Sequence, residues 1–181
     1  MIRQLNAREI ERIYHLYTLE TFPAEELEPW ERILPLCQQE RFTGFGFFHN
    51  EELAAYALLS FSRHSLILLD LLETLPSLRG QGYGSRLVQF VKEHYSGQPV
   101  FIEVEDPAHA RCEAEKNARQ RRVAFYQRLG ACPSGLQANL GGFIMLLLVL
   151  NCSPNSLDLP YVKKELSDHY ADIYGPKAFI I

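Results

Sequence analysis

Arg79-Gly80-Gln81-Gly82-Tyr83-Gly84 decides how this chain is read, because of what lies on either side of it. Upstream, Leu66-Ile67-Leu68-Leu69-Asp70-Leu71-Leu72 has the apolar run of a buried strand. Downstream, Leu87, Val88, Val91, His94 and Tyr95 recur at helical spacing. A glycine-rich turn therefore joins a strand to the start of a helix. The first amide N–H groups of a helix lack intrahelical acceptors, and the helix dipole adds partial positive charge there. Together these features predict an anion site. Glycine suits such a turn because a Cβ would hold a phosphate away from the backbone.

Three phosphate-binding loops compete for the hexapeptide. A P-loop ends in Gly-Lys-Ser/Thr, and Gly84-Ser85-Arg86 excludes it. A dinucleotide fingerprint starting at Gly80 puts Ser85 where its third glycine belongs. Glu103 and Glu105 do lie about 20 residues further on, where a ribose contact is expected. However, Pro76-Ser77-Leu78-Arg79 separates the strand from the glycines. The pyrophosphate loop of acyl-CoA-dependent N-acyltransferases, Q/R-x-x-G-x-G/A, is satisfied by Arg79, Gly82 and Gly84, with Pro76 as its common companion. A glycine turn without a ligand is the bland alternative.

A second segment weighs on the choice. The stretch from Asn117 ends in Phe125-Tyr126-Gln127-Arg128-Leu129-Gly130-Ala131, similar to a helix ending in F-Y-x-x-L-G-F/A. With both motifs in order and the strand Val100 to Val104 between them, the chain resembles the GNAT superfamily of N-acetyltransferases over residues 1–150.

Composition narrows the class. A chain of 181 residues supports one domain with a sizeable core. Hydrophobic content of 47% and charged content of 22% are those of a globular protein. A net charge of −4 does not favour nucleic acid or an anionic membrane, and neither is expected as a partner. Arg119, Arg121, Arg122 and Arg128 cluster on a predicted helix, where the bland reading is a solvated or ion-paired face. Cys37, Cys112, Cys132 and Cys152 show neither C-x-x-C pairing nor ligand spacing, so no metal is expected. Such thiols suit a reducing cytosol. Met1 to Asn6 lacks the apolar stretch of a signal peptide, and Phe143 to Leu150 is too short to span a bilayer. The expected location is cytoplasmic.

Along the chain, Met1 to Leu5 predicts a strand, and Asn6-Ala7-Arg8-Glu9 an N-cap with glutamate at N3. Ile10, Ile13, Tyr14 and Tyr17 form the core stripe of the helix that follows, ended by Thr21-Phe22-Pro23. A second helix is expected from Glu26 to Gln39, with Pro35 kinking or dividing it. Phe42 to Phe48 and Leu53 to Arg63 read as a hairpin, and Ser65 to Leu75 as the next strand. Asp106 to Lys116 is polar, a loop grading into helix. Gly130 caps the motif helix. Gly135 to Leu150 reads as a closing hairpin. Tyr161 to Tyr174 reads as a helix begun by Pro160 and stopped by Gly175-Pro176. The expected fold is α/β, a mixed, mostly antiparallel central sheet with helices on both faces, in agreement with the GNAT arrangement. Residues 1–150 would be the acetyltransferase domain. Residues 151–181 would be a C-terminal extension docked on it or on a partner chain, which leaves a homodimer open.

The resemblance implies acetyl-CoA as acyl donor. It places the pyrophosphate on the N–H groups of Gly80, Gln81, Gly82, Tyr83, Gly84 and Ser85, with Arg79 adding charge. Leu72, Glu73 and Thr74 would pair with the pantetheine arm through their backbones. Tyr126 would donate to the departing sulfur; otherwise it is a core aromatic. Glu103 is the assigned base, because many relatives carry a glutamate in a similar strand. Glu105 points the same way, and Glu73 is a third candidate; a base acting through water is a further alternative. Relatives often carry a cofactor-contacting asparagine at the position of Arg119, and Asn117 is the nearest asparagine here. Glu103, Glu105, Asp106, Glu113 and Glu115 would form an acidic rim favouring a cationic amine, or a solvated loop. Glu20, Phe22, Glu25, Glu26 and Trp30 are candidates for the acceptor site. The leading function is transfer of acetyl to a small cationic primary amine. Alternatives are a protein lysine or N-terminal amine as acceptor, and a non-catalytic acyl-CoA-binding regulator.

Overall fold

The computed structural model describes residues 1–22, 27–64, 66–175 and 178–181. Pro23, Glu25, Glu26, Ser65 and Pro176, which carry some of the expectations above, lie outside the described residues. The chain forms two compact units, Met1–Phe61 with Leu69–His94, and Ser62–Leu68 with Tyr95–Ile181. The fold class is α/β with a mostly antiparallel sheet, as the sequence predicts. Among the described residues, no helix is long and apolar enough to cross a membrane.

In the first unit the strand order is β1 (Ile2–Gln4), β2 (Phe42–His49), β3 (Glu52–Phe61) and β4 (Ile67–Thr74, here from Leu69). Helix α1 (Ala7–Ile13) starts on the expected capping box. Asn6 Oδ1 accepts from the Glu9 N–H at 3.0 Å, and the Glu9 carboxylate accepts from the Asn6 N–H at 2.9 Å. Replacing Asn6 by alanine removes one of these bonds, and about 1 kcal/mol of stability is expected to go with it, readable by urea denaturation. Ile10, Ile13 and Tyr14 are buried as predicted, but Tyr17 is only half-buried. The reason is a π-helical turn, Tyr14–Thr18, whose extra residue rotates the stripe beyond a regular helical period. Thr18 takes the core position instead, with its hydroxyl 3.0 Å from that of Tyr56.

Short α2 (Leu19–Thr21) follows, and α3 runs Trp30–Gln38 with Pro35 inside it. That proline neither ends nor divides the helix, which starts after Pro29; the expected start at Glu26 lies outside the described residues. The β2–β3 hairpin turns on Asn50 and Glu51, with φ of 48° and 67°, the left-handed pair of a tight two-residue turn. Helix α4 (Tyr83–His94) buries Leu87, Val88 and Val91. Its Phe90 meets Phe45 at 5.1 Å, and its Tyr83 meets Phe47 at 4.7 Å between ring centroids. His94, at helical spacing with these residues, is exposed and stacks on Phe90.

In the second unit β5 (Val100–Glu105) pairs with β7 (Phe143–Leu150), β7 with β6 (Cys132–Leu140), and β6 with β8 (Ala178–Ile180), all antiparallel. The register sets Glu103 opposite Leu147 and Glu105 opposite Met145. The polar stretch over residues 106–116 is a loop with a 3₁₀ turn at Pro107–His109 that grades into helix α5 (Glu113–Arg128), as expected. The closing hairpin starts at Cys132, earlier than expected, with an irregularity between Pro133 and Gln137 that hides its period. Helix α6 (Leu159–Tyr174) starts at Asp158, whose carboxylate accepts from the Tyr161 N–H at 3.2 Å. Val162, Leu166 and Tyr170 on α6 share one core with Phe101, Leu136, Leu147 and Val149, and with Ala178 and Ile180 of β8.

Candidate active site

The glycine turn lies in the first unit. Pro76–Leu78 forms a 3₁₀ turn after β4, and Gly80 and Gly82 both take left-handed backbone, with φ of 81° and 80°. L-residues rarely adopt that conformation, which is the requirement for glycine here. A Cβ at either position would meet nothing within 4 Å, so room for a ligand is a second, separate role. The Arg86 N–H bonds the Gly82 carbonyl at 3.1 Å, the first helical hydrogen bond of α4. The amides of Gly82, Tyr83, Gly84 and Ser85 therefore precede any intrahelical acceptor and form the donor set an anion needs. Tyr83 is buried, and its hydroxyl donates to Gln81 Oε1 at 3.0 Å, which fixes the outer part of the loop.

Arg79 is held against the end of β4. Its guanidinium meets the buried Glu73 carboxylate at 2.7 Å and donates to the Thr74 carbonyl at 3.1 Å. The pair pins the loop to the strand and engages the charge of both partners. Gly82→Ala is expected to cost about 1 kcal/mol of stability through the left-handed backbone alone. It should also raise the Kd for the acetyl-CoA that the resemblance implies, as calorimetry would show.

The carboxylates and Tyr126 lie in the second unit. Glu105 is bound by two arginines of α5, by Arg119 at 3.1 Å and by Arg122 more closely still. Arg119 is 5% exposed and also meets Glu115 at 2.6 Å and the Asp106 carbonyl at 2.9 Å. Arg119, at the position where the resemblance expects an asparagine, is thus a buried ion-pair centre rather than part of a solvated face. Asn117 is exposed on α5, as its spacing from the buried Arg119 requires. Glu113 meets Lys116 at 3.7 Å, and Asp106 accepts from Gln137 at 3.0 Å and lies 3.1 Å from His109. The acidic rim is therefore largely matched by cations and donors.

Glu103 differs from Glu73 and Glu105. Among the described residues it has no arginine or lysine partner, and the Tyr170 hydroxyl of α6 donates to its Oε1. Burial pushes its carboxyl up to about 7, against a lowering by that hydrogen bond. Sequence reasoning missed Tyr170, which reads as one more apolar position on the α6 stripe. Tyr126 is 7% exposed, near the end of α5. Burial raises its phenol further above the ordinary value, while Arg122 lowers it. Its hydroxyl has no hydrogen-bond partner among the described residues. Of the acceptor candidates in the first unit, Glu20 is exposed, Phe22 half-buried and Trp30 buried.

Residues 9–131 match the Acetyltransferase (GNAT) family, and the chain belongs to that family. YjbC of Bacillus subtilis (strain 168), which bears an acetyltransferase name, is 28% identical over 109 residues, 60% of this chain and 51% of YjbC. The chain thus spans about half the length of that curated relative. A structure from Bacteroides thetaiotaomicron, ascribed to the GNAT family, superposes with a TM-score of 0.70 at 21% identity, covering 98% of this chain and 99% of its own. Arabidopsis thaliana NAA60, solved with acetyl-CoA, gives 0.61 at 15% identity, covering 82% and 96%. Both share the fold.

Proposed function

We propose that this chain is an N-acetyltransferase that transfers acetyl from acetyl-CoA directly to an amine, with Glu103 as base and Tyr126 as donor to the leaving sulfur. The observation that carries the reading is Glu103, whose carboxyl, without a cationic partner among the described residues and raised to about 7, is poised for proton transfer near neutral pH. Glu73 and Glu105 are instead engaged by arginines. The donor set at the start of α4 fits a pyrophosphate: consecutive amides without intrahelical acceptors, on glycines that leave the surface open. Leu72, Glu73 and Thr74 keep their proposed backbone role toward the pantetheine arm, while Arg79 contributes chiefly by fixing the loop. Asn117 is retained as a weaker contact.

In the reaction, Glu103 takes a proton from the attacking amine as the new N–C bond forms and the C–S bond breaks. The Tyr126 phenol stays protonated at working pH because burial raises it. An ordinary thiol has a pKa of about 8.5 and a phenol about 10, so full proton transfer to the thiolate is uphill. Tyr126 therefore acts by hydrogen bonding as charge develops on sulfur.

The favoured acceptor is a small cationic primary amine, drawn by a net charge of −4, and the favoured compartment is a reducing cytoplasm. The test is acetyl transfer to polyamines, aminoglycosides, amino acids and short peptides. The highest kcat/KM is expected for the small polycations, falling with added salt. A peptide preference would replace this acceptor with a protein amine.

A further inference from the structure

Helix α6 lies beyond the residues that match the family, which end at 131, yet it supplies a partner to the proposed base. Tyr170 is fully buried in the core of the second unit, among Phe101, Leu147, Val149 and Leu166. Such a position would accept phenylalanine on volume alone. A buried hydroxyl needs a partner, and this one has the Glu103 carboxylate. Packing fixes the phenol at both ends, since the ring cannot swing without opening the core. Only Oε1 of Glu103 is engaged; Oε2 has no partner among the described residues.

Resting on the reading of Glu103 as base, we infer that Tyr170 of the C-terminal helix is a positioning residue, which holds Oε1 and leaves Oε2 to receive the proton of the amine. The hydrogen bond also favours the charged carboxylate, opposing the burial that penalises it. The neighbouring groups leave Tyr170 as the main polar influence. Leu147, opposite on β7, is apolar, as are its neighbours Met145 and Val149. Glu105, two residues on, is matched by Arg119 and Arg122 of α5. On α6, Glu165 is bonded to Ser62 at 3.0 Å and to His64 at 2.8 Å, and His169 is buried beside Tyr170. Leu66 and Leu68 in the same core carry no charge.

The test compares pH profiles of kcat/KM for the wild type, Tyr170→Phe and Glu103→Gln with one amine throughout. The limb set by the amine is common to all three. Tyr170→Phe is expected to move the Glu103 limb upward by about one pH unit, because a hydrogen bond to a charged group has been removed. Activity should fall about fivefold at pH 7 and recover above the displaced limb. An unmoved limb in a folded Tyr170→Phe protein would overturn the inference while leaving the base intact. Full activity in Glu103→Gln would overturn the base itself. Tyrosine labelled with ¹³C at Cζ gives a second readout that does not depend on Tyr170→Phe folding. One tyrosine resonance should titrate with the Glu103 midpoint in the wild type and lose that titration in Glu103→Gln; its absence in the wild type would also overturn the inference.

Discussion

Glu103→Gln is expected to lower kcat by about 10²- to 10⁴-fold, the range a positioned general base contributes, with little change in acetyl-CoA affinity. Glutamine keeps the shape and can still accept from the Tyr170 hydroxyl, but it cannot take a proton. The same variant has a signature in stability. The folded-state carboxyl sits at about 7, above its value in the unfolded chain. A carboxyl raised on folding stabilises the protein below its unfolded pKa, and that contribution is lost as pH rises through the folded pKa. Wild-type stability should therefore decline between about pH 4.3 and pH 7 from this group, and Glu103→Gln should remove that part of the slope. Denaturation curves across this window check the sign. A variant inactive but unchanged in slope would mean that Glu103 is not buried as described.

Tyr126→Phe is expected to lower kcat about 100-fold, in keeping with the loss of one donor to charge that develops in the transition state. Acetyl-CoA binding should persist, because the amides at the start of α4 do not involve this hydroxyl. The fold should persist too, since among the described residues the hydroxyl bonds no protein group and the ring remains. Calorimetry beside steady-state turnover separates the two effects. Unchanged turnover would return Tyr126 to the role of a core aromatic. A protein that binds acyl-CoA only to regulate a partner would show binding in both forms and turnover in neither.

The elements were legible wherever local chemistry is strong. Asn6 with Glu9 marked the start of α1, and Gly130, with φ of 94°, marked the end of α5. Leu87, Val88 and Val91 marked the buried face of α4. Misreadings came from features without a period. The π turn at Tyr14–Thr18 moved Thr18 into the core place given to Tyr17. The irregular start of β6 concealed three residues of strand before Gly135. Strand β8 is three residues long and was not foreseen. In the candidate site, the loop and three carboxylates could be named from spacing and resemblance. Their pairing could not, because Arg79–Glu73 links strand to loop and Arg122–Glu105 links helix to strand. Tyr170, separated from Glu103 by 67 positions, has no local signal at all.

The most direct measurement is release of free thiol from acetyl-CoA by the purified protein, with and without amine, with the acetylated product weighed by mass spectrometry. The account predicts amine-dependent thiol release, one acetyl group gained by the amine for each thiol, and collapse of both signals in Glu103→Gln. Tight acetyl-CoA binding with no amine-dependent release would contradict the catalytic reading. Failure to bind any CoA species would contradict the reading of Arg79 to Ser85 on which the account rests.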